Sequence, residues 1–204
     1  MNQDSSLEKT PKTKRGRETR DKLLAAAEIE FGERGFHETA ISHITQRAGV
    51  AMGTFYVYYD SKEEIFRALV AHMSALTRQW IATQVADAPD RLDAERRGIE
   101  AFIAFVRQHA ALYKIVAEAQ FVAEDAFREH YNGFARAYRK NLEEAADKGE
   151  IRQGDYEVWS WALIGLSVFL GMRFAEWDGD RDPAELAATV ADLIGGGLRP
   201  VPEE

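Results

Sequence analysis

The sequence predicts an all-α protein, and three observations carry that prediction. Apolar residues recur at the three-to-four-residue spacing of a helix face along most of the chain. No stretch of useful length alternates apolar and polar residues as a half-buried strand would. Glycines, prolines and Asp-rich turns fall between the periodic segments, where helices start and stop. At 204 residues, 46% of them hydrophobic, the chain can bury a substantial core, which argues against a disordered protein.

Residues 1–16 are polar, contain Pro11 and lack periodicity, and are expected to form a disordered basic arm. A first helix is expected from Arg17 to Arg34, with Leu24, Ala27 and Phe31 inward and Gly35 as its stop. Ile41, Ile44 and Ala48 then share one face of a short second helix that Gly49 ends, and Val50 fills the elbow. A third helix, about Met52 to Tyr58, buries Phe55 and leaves Met52, Gly53, Thr54 and Val57 free. Ser61-Lys62-Glu63-Glu64 reads as the capped start of a fourth helix that runs to about Ala86 before Asp87-Ala-Pro-Asp90 breaks it. Further helices are expected at about Asp93–His109, Ala110–Ala119, Glu124–Lys148, Asp155–Trp177 and Pro183–Gly195.

Two short helices joined by a glycine turn form a helix-turn-helix, whose second helix fits a DNA major groove. The free face suits that role: small or neutral groups let backbone approach DNA, with a hydroxyl and apolar surface for base edges. Tyr56 and Tyr58 flank it as phosphate donors, and Lys62 sits in a helix first turn where an ammonium suits a phosphate. Charge is distributed to match. The net charge is −8, yet residues 1–62 hold ten Lys/Arg against nine Asp/Glu, and residues 9–22 hold seven against two. A basic arm of that kind contributes salt-sensitive affinity for DNA.

Residues 39–62 resemble the TetR family of bacterial one-component repressors. The resemblance rests on Thr39, Ile41 and Ile44, Ala48-Gly49-Val50, Gly53-Thr54-Phe55-Tyr56, Tyr58-Tyr59 and Ser61-Lys62-Glu63, with Arg20, Leu24, Ala27, Phe31 and Gly35 upstream. His43 and Thr45 depart from the family pattern, which commonly has an acidic residue and an alanine there. The resemblance implies that residues 17–62 bind DNA. Ser42, Thr54 and Val57 would lie nearest base edges, with His43, Met52 and Gly53 beside them and Thr39, Tyr56, Tyr58 and Lys62 holding phosphates. It further implies that residues 63–204 bind a small-molecule effector and dimerise. DNA physics asks for the dimer as well: one short recognition helix reads few base pairs, whereas a homodimer reads both halves of a palindromic double-stranded operator. Effector binding would shift the fourth helix and move the two recognition helices out of register.

Within the second region, Tyr113, Glu118, His130, Tyr131, Phe134, Tyr138 and Arg173 combine apolar walls with polar tips and are the candidate effector pocket. Leu163, Leu166, Phe169 and Leu170 form an apolar stripe on the penultimate helix, and Leu186, Val190, Leu193 and Ile194 one on the last; these are the candidate dimer interface. Leu112 to Phe121 with Phe127 to Tyr138 faintly resembles subgroups that respond to acyl-CoA-type metabolites, and Lys114, Arg128, Arg136, Arg139 and Lys140 would then supply phosphate partners. A hydrophobic compound is the other effector class. The alternative function is a helical small-molecule-binding protein or enzyme without specific DNA binding.

The chain has no cysteine, which removes disulfides, thiolate metal sites and cysteine nucleophiles and is compatible with a cytoplasmic location. His109, Glu118, Glu129 and His130 lack metal-ligand spacing, so no metal or other cofactor is expected. Neither a G-x-S-x-G elbow nor a P-loop is present, and no enzymatic activity is expected. The most apolar run, Val158–Phe174, is interrupted by Ser160, Ser167 and Arg173 and reads as too short to cross a membrane.

Overall fold

The computed structural model describes residues 11–198. These are helical, without a strand: α1 (Lys14–Glu38), α2 (Ile41–Ala48), α3 (Met52–Tyr58), α4 (Lys62–Val85), α5 (Arg91–Gln108), α6 (Ala110–Val122), α7 (Glu124–Asp147), α8 (Tyr156–Gly171), a π-helical segment (Met172–Trp177) and α9 (Pro183–Leu198). The Thr13 hydroxyl accepts the Gly16 N–H at 3.0 Å and starts α1 at Lys14. Lys14, Arg15 and Gly16 are therefore helical, and residues 1–10 of the expected arm lie outside the described residues.

The described chain divides into two compact units. The first comprises residues up to His72 together with Ala111–Phe127, so α6 belongs with the helix-turn-helix, and the unit extends beyond the expected boundary at Lys62. Leu23, Phe31, Ile44, Phe55, Ile65, Phe66 and Leu69 form its core. Phe66 meets both Phe31 and Phe36 edge-on at centroid distances of 5.1 Å. Gly35, at φ 76° and ψ 170°, takes a conformation closed to other residues and kinks α1 there, so helical structure resumes for only one turn beyond the expected stop. Gly49, at φ 67° and ψ 35°, ends α2 as a left-handed cap and makes the turn into α3.

The second unit comprises Met73–Ala110 and Arg128 onward. Helix α5 packs against α8, the π segment and α9. Ile99 and Ile103 join Leu142, Leu163, Leu186 and Ile194 in its core. The one helix expected over Asp155–Trp177 changes to π-helical winding after Gly171, where the Phe102 ring occupies the space a Cβ would need. Arg107 donates to the Phe174 carbonyl at 2.9 Å, holding the segment's far end. With that extension Tyr156–Trp177 is 22 residues long, and by length and composition alone it is apolar enough to cross a membrane, where the sequence had read as too short. Its buried Ser160, Leu163 and Ile164 face the unit, and its exposed Val158, Trp161, Phe169 and Trp177 do not.

Candidate functional site

Helix α3 is anchored through fully buried Phe55 and presents the opposite face outward. On that face Val57 is 62% exposed, Tyr56 49% and Met52 44%. Gly53 is exposed, with nothing within 4 Å of where a Cβ would stand, and Thr54 is half-buried. Ser42 is exposed in the first turn of α2, which has its own N-terminus capped by His43: the imidazole Nδ1 accepts the Ala40 N–H at 3.2 Å. Tyr58 is half-buried, its hydroxyl 3.6 Å from where a Cβ on Gly16 would lie. Met52, Gly53, Thr54, Tyr56 and Val57 are thus brought together as expected.

Thr39 and Lys62, expected at phosphates, make contacts within the protein. The Gly35 kink leaves backbone groups without helical partners, and these two side chains help satisfy them. Thr39 is buried and its hydroxyl donates to the Gly35 carbonyl at 2.7 Å. The Lys62 ammonium donates to the carbonyls of Phe36 at 2.7 Å and Thr39 at 2.8 Å, and lies 4.3 Å over the Phe36 ring. On the other side of the same residue, the Phe36 N–H donates to the Glu118 carboxylate at 2.9 and 3.0 Å. Glu118, expected in the effector pocket, therefore fastens α6 to the end of α1. Buried Glu30 is a further positioning group: it accepts from Arg47 on α2 at 2.5 Å and from Arg34 at 2.8 Å. The Arg47 hydrogen bond, opposed by burial and aided by Arg34, holds the Glu30 carboxyl below its usual range.

The seven effector candidates fall in both units. Tyr113 and Glu118 belong to the first unit and the other five to the second. Tyr138 donates to Glu95 under the Arg91 guanidinium, and burial first, then the Glu95 charge, raises its hydroxyl well above the usual tyrosine range. Arg173 is exposed and ion-paired with Asp178 at 2.9 Å. His130, Tyr131 and Phe134 do come together: the His130 ring lies 4.8 Å from Tyr131 and 5.1 Å from Phe134, and its Nδ1 is 2.5 Å from the Ser74 hydroxyl. Arg136, Arg139 and Lys140 are paired with Glu129, Glu143 and Glu144 on their own helix.

Burial, and secondarily the Arg78 charge, lowers the His130 pKa from 6.5 to about 4. The native protein therefore binds this proton more weakly than the unfolded chain does. Its contribution to stability is complete above pH 6.5 and is lost as pH falls toward 4. About 2 kcal/mol should disappear between pH 7 and pH 5. Urea unfolding at the two pH values should show that loss in the parent protein and little of it in His130→Gln; equal losses in both would contradict the assignment.

The dimer candidates also divide. Leu163, Leu186, Val190 and Ile194 are buried in the unit's own core, and Leu166 and Leu170 pack against it. Only Phe169, 67% exposed, and Leu193, 72%, remain outward. Val158, Trp161 and Trp177, which sequence reasoning did not assign to this surface, are exposed with them. Both helices are apolar on two sides, and periodicity identifies an apolar stripe without saying which side faces inward.

A family model for bacterial regulatory proteins of the tetR family matches residues 23–69. Among curated relatives, the HTH-type transcriptional regulator YdgC of Bacillus subtilis is 30% identical over 191 residues, 91% of this chain and 95% of that one. The fatty acid degradation regulator FadR of Bacillus halodurans shares the fold with a TM-score of 0.77 at 24% identity, over 93% of this chain and 99% of its own. So does Bacillus subtilis FadR in complex with stearoyl-CoA, with a TM-score of 0.76 at 21% identity, over 88% and 99%. The matched residues begin in α1, include the buried Phe55 anchor and end on α4, and the YdgC likeness continues through nearly all the rest. The chain belongs to the TetR family of bacterial transcriptional regulators.

Proposed function

We propose that the protein is a cytoplasmic, homodimeric repressor that α3 seats in the major groove of a palindromic operator and that a small-molecule effector releases. The observation that carries this reading is the exposed Met52, Gly53, Tyr56 and Val57 face over buried Phe55. With Ser42 and Thr54, this face supplies base-edge contacts, and the tyrosine hydroxyls supply phosphate contacts. Thr39, Lys62 and Glu118 act from behind, fixing the end of α1 on which α2 is built. The large apolar side chains that α8 and α9 leave exposed, Trp161, Phe169 and Leu193, suit burial against a second copy.

The effector site centres on His130, Tyr131 and Phe134. A long-chain acyl-CoA is the favoured class, supported by the stearoyl-CoA in the Bacillus subtilis FadR structure. Helix α4, which runs from the first unit into the second, carries the response between them. Such coupling is worth about 1–3 kcal/mol, a change of roughly 5–150-fold in affinity, and it is reciprocal. Stearoyl-CoA should weaken operator binding by a factor in that range, and operator DNA should weaken stearoyl-CoA binding by the same factor. Titrating each ligand in the presence and absence of the other measures both. A one-sided effect would refute the coupling, and no effect of stearoyl-CoA on operator binding would remove the acyl-CoA class.

A further inference from the structure

We infer that Arg78, with Ser74, His130 and Phe134, binds the anionic group of a largely apolar ligand, either a carboxylate or a phosphate. This rests on the effector reading above and specifies its chemistry. Ser74 and Arg78 are four residues apart on α4, and His130 and Phe134 are four apart on α7, so each pair occupies one helix face. The faces meet: the Ser74 hydroxyl is 2.5 Å from His130 Nδ1, and the Arg78 guanidinium lies 5.5 Å over the Phe134 ring.

Two features set Arg78 apart. Among the described residues, half-buried Arg67, Arg91, Arg96 and Arg97 each pair with a carboxylate within 4.0 Å and half-buried Arg107 donates to the Phe174 carbonyl, whereas half-buried Arg78 pairs with no carboxylate. Removing a guanidinium from water without a counter-charge is unfavourable, and a ring face offsets only part of that cost. The second feature is Gly133, where a Cβ would stand 3.1 Å from Arg78 Nη1. A glycine here lets the guanidinium lie close against α7.

The neighbouring groups add no second cation to this face of α7. With its pKa near 4, His130 is neutral at physiological pH and offers hydrogen bonding rather than charge. The Thr77 hydroxyl is committed to the Met73 carbonyl. Arg136, whose Nη2 lies 3.8 Å from the same Gly133 Cβ position, is paired with Glu129. One unneutralised guanidinium beside two aromatic rings therefore matches a single anionic group on an apolar body, and the planar fork of arginine suits either carboxylate or phosphate.

The test uses calorimetric titration of the full-length protein and its Arg78→Lys and Arg78→Met variants with decanoate, decanoyl-CoA and 1-decanol, which share one chain length. The parent protein should bind at least one anionic probe about tenfold or more tighter than 1-decanol, the effect of one charge-assisted hydrogen-bond pair. Arg78→Met should lose that preference while keeping its affinity for 1-decanol, which shows the site still folded, and Arg78→Lys should retain part of it. A preference for decanoate identifies a carboxylate, and one confined to decanoyl-CoA identifies the phosphates. Equal binding of anion and alcohol by the parent protein, or an undiminished preference in Arg78→Met, overturns the inference. Operator affinity is read in the same samples. An anion preference without any change in operator binding refutes the effector reading and leaves the anion site standing; operator release without an anion preference does the reverse.

Discussion

Val57→Asp should reduce operator affinity by at least about 100-fold while leaving the protein folded. Val57 is 62% exposed on α3, opposite the buried Phe55 anchor, so the substitution removes no core contact. An exposed change of this kind alters stability by roughly 0.5 kcal/mol or less. On the DNA, however, it exchanges an apolar contact with a base edge for a carboxylate facing phosphates, and juxtaposed like charges cost several kcal/mol. Fluorescence anisotropy on operator DNA and thermal unfolding by circular dichroism separate the two effects. Retained affinity with an unchanged melting curve would mean that this face of α3 does not meet DNA.

The largest effect on stability should come from Glu95→Ala, at about 3–5 kcal/mol. Glu95 is 1% exposed on α5, the helix around which the second unit packs. Its carboxylate accepts from Arg91 Nε at 2.8 Å and Nη2 at 2.6 Å, and from the Tyr138 hydroxyl on α7. The Arg91 N–H is itself tied to Glu150 at 2.8 Å, so the network also reaches the turn after α7. Truncating the acid strands a largely buried guanidinium and a buried hydroxyl together, and neither can return to water without opening the unit. Denaturant unfolding should register the full loss in Glu95→Ala and a smaller one in Glu95→Gln, which keeps an acceptor for one donor. A loss below about 1 kcal/mol in the alanine variant would show that water reaches Arg91 once the carboxylate is gone.

These two residues mark where sequence reading succeeds and where it stops. Val57 was legible because everything that exposes it is local: the Gly49 turn, the Phe55 anchor and one turn of helix. For the same reason the helices were readable to within about four residues at each end, and the Gly35 break with them. Glu95 was invisible because its partner Tyr138 lies 43 residues away, and an acid on a helix ordinarily reads as solvated. The internal contacts of Lys62 and Glu118 were hidden by the same distance. Their common partner, Phe36, is 26 and 82 residues away, and only the fold turns a first-turn lysine and a helical glutamate into caps for one kinked peptide segment.

The candidate pocket was half legible. His130, Tyr131 and Phe134 sit on one stretch of α7 and stay together, but Arg78, on another helix with no motif around it, gave no signal in the sequence. The apolar stripes of α8 and α9 were legible as stripes but not in their orientation. Composition marked α8 and α9 as apolar, yet Leu163, Leu186, Val190 and Ile194 were drawn inward, leaving Val158, Trp161 and Trp177 outside. The π-helical turn after Gly171 was likewise beyond reach, since Phe102 and Arg107, which accompany it, belong to another helix.

The proposed repressor stands on sequence-specific DNA binding through α3. It is tested most directly by the affinity of the purified protein for the DNA upstream of its own gene, compared with a shuffled duplex of equal length across a salt series. Saturable binding to the native fragment should persist at salt concentrations where the shuffled duplex is released. Equal, steeply salt-dependent binding to both duplexes would contradict it, leaving only basic residues held to phosphates.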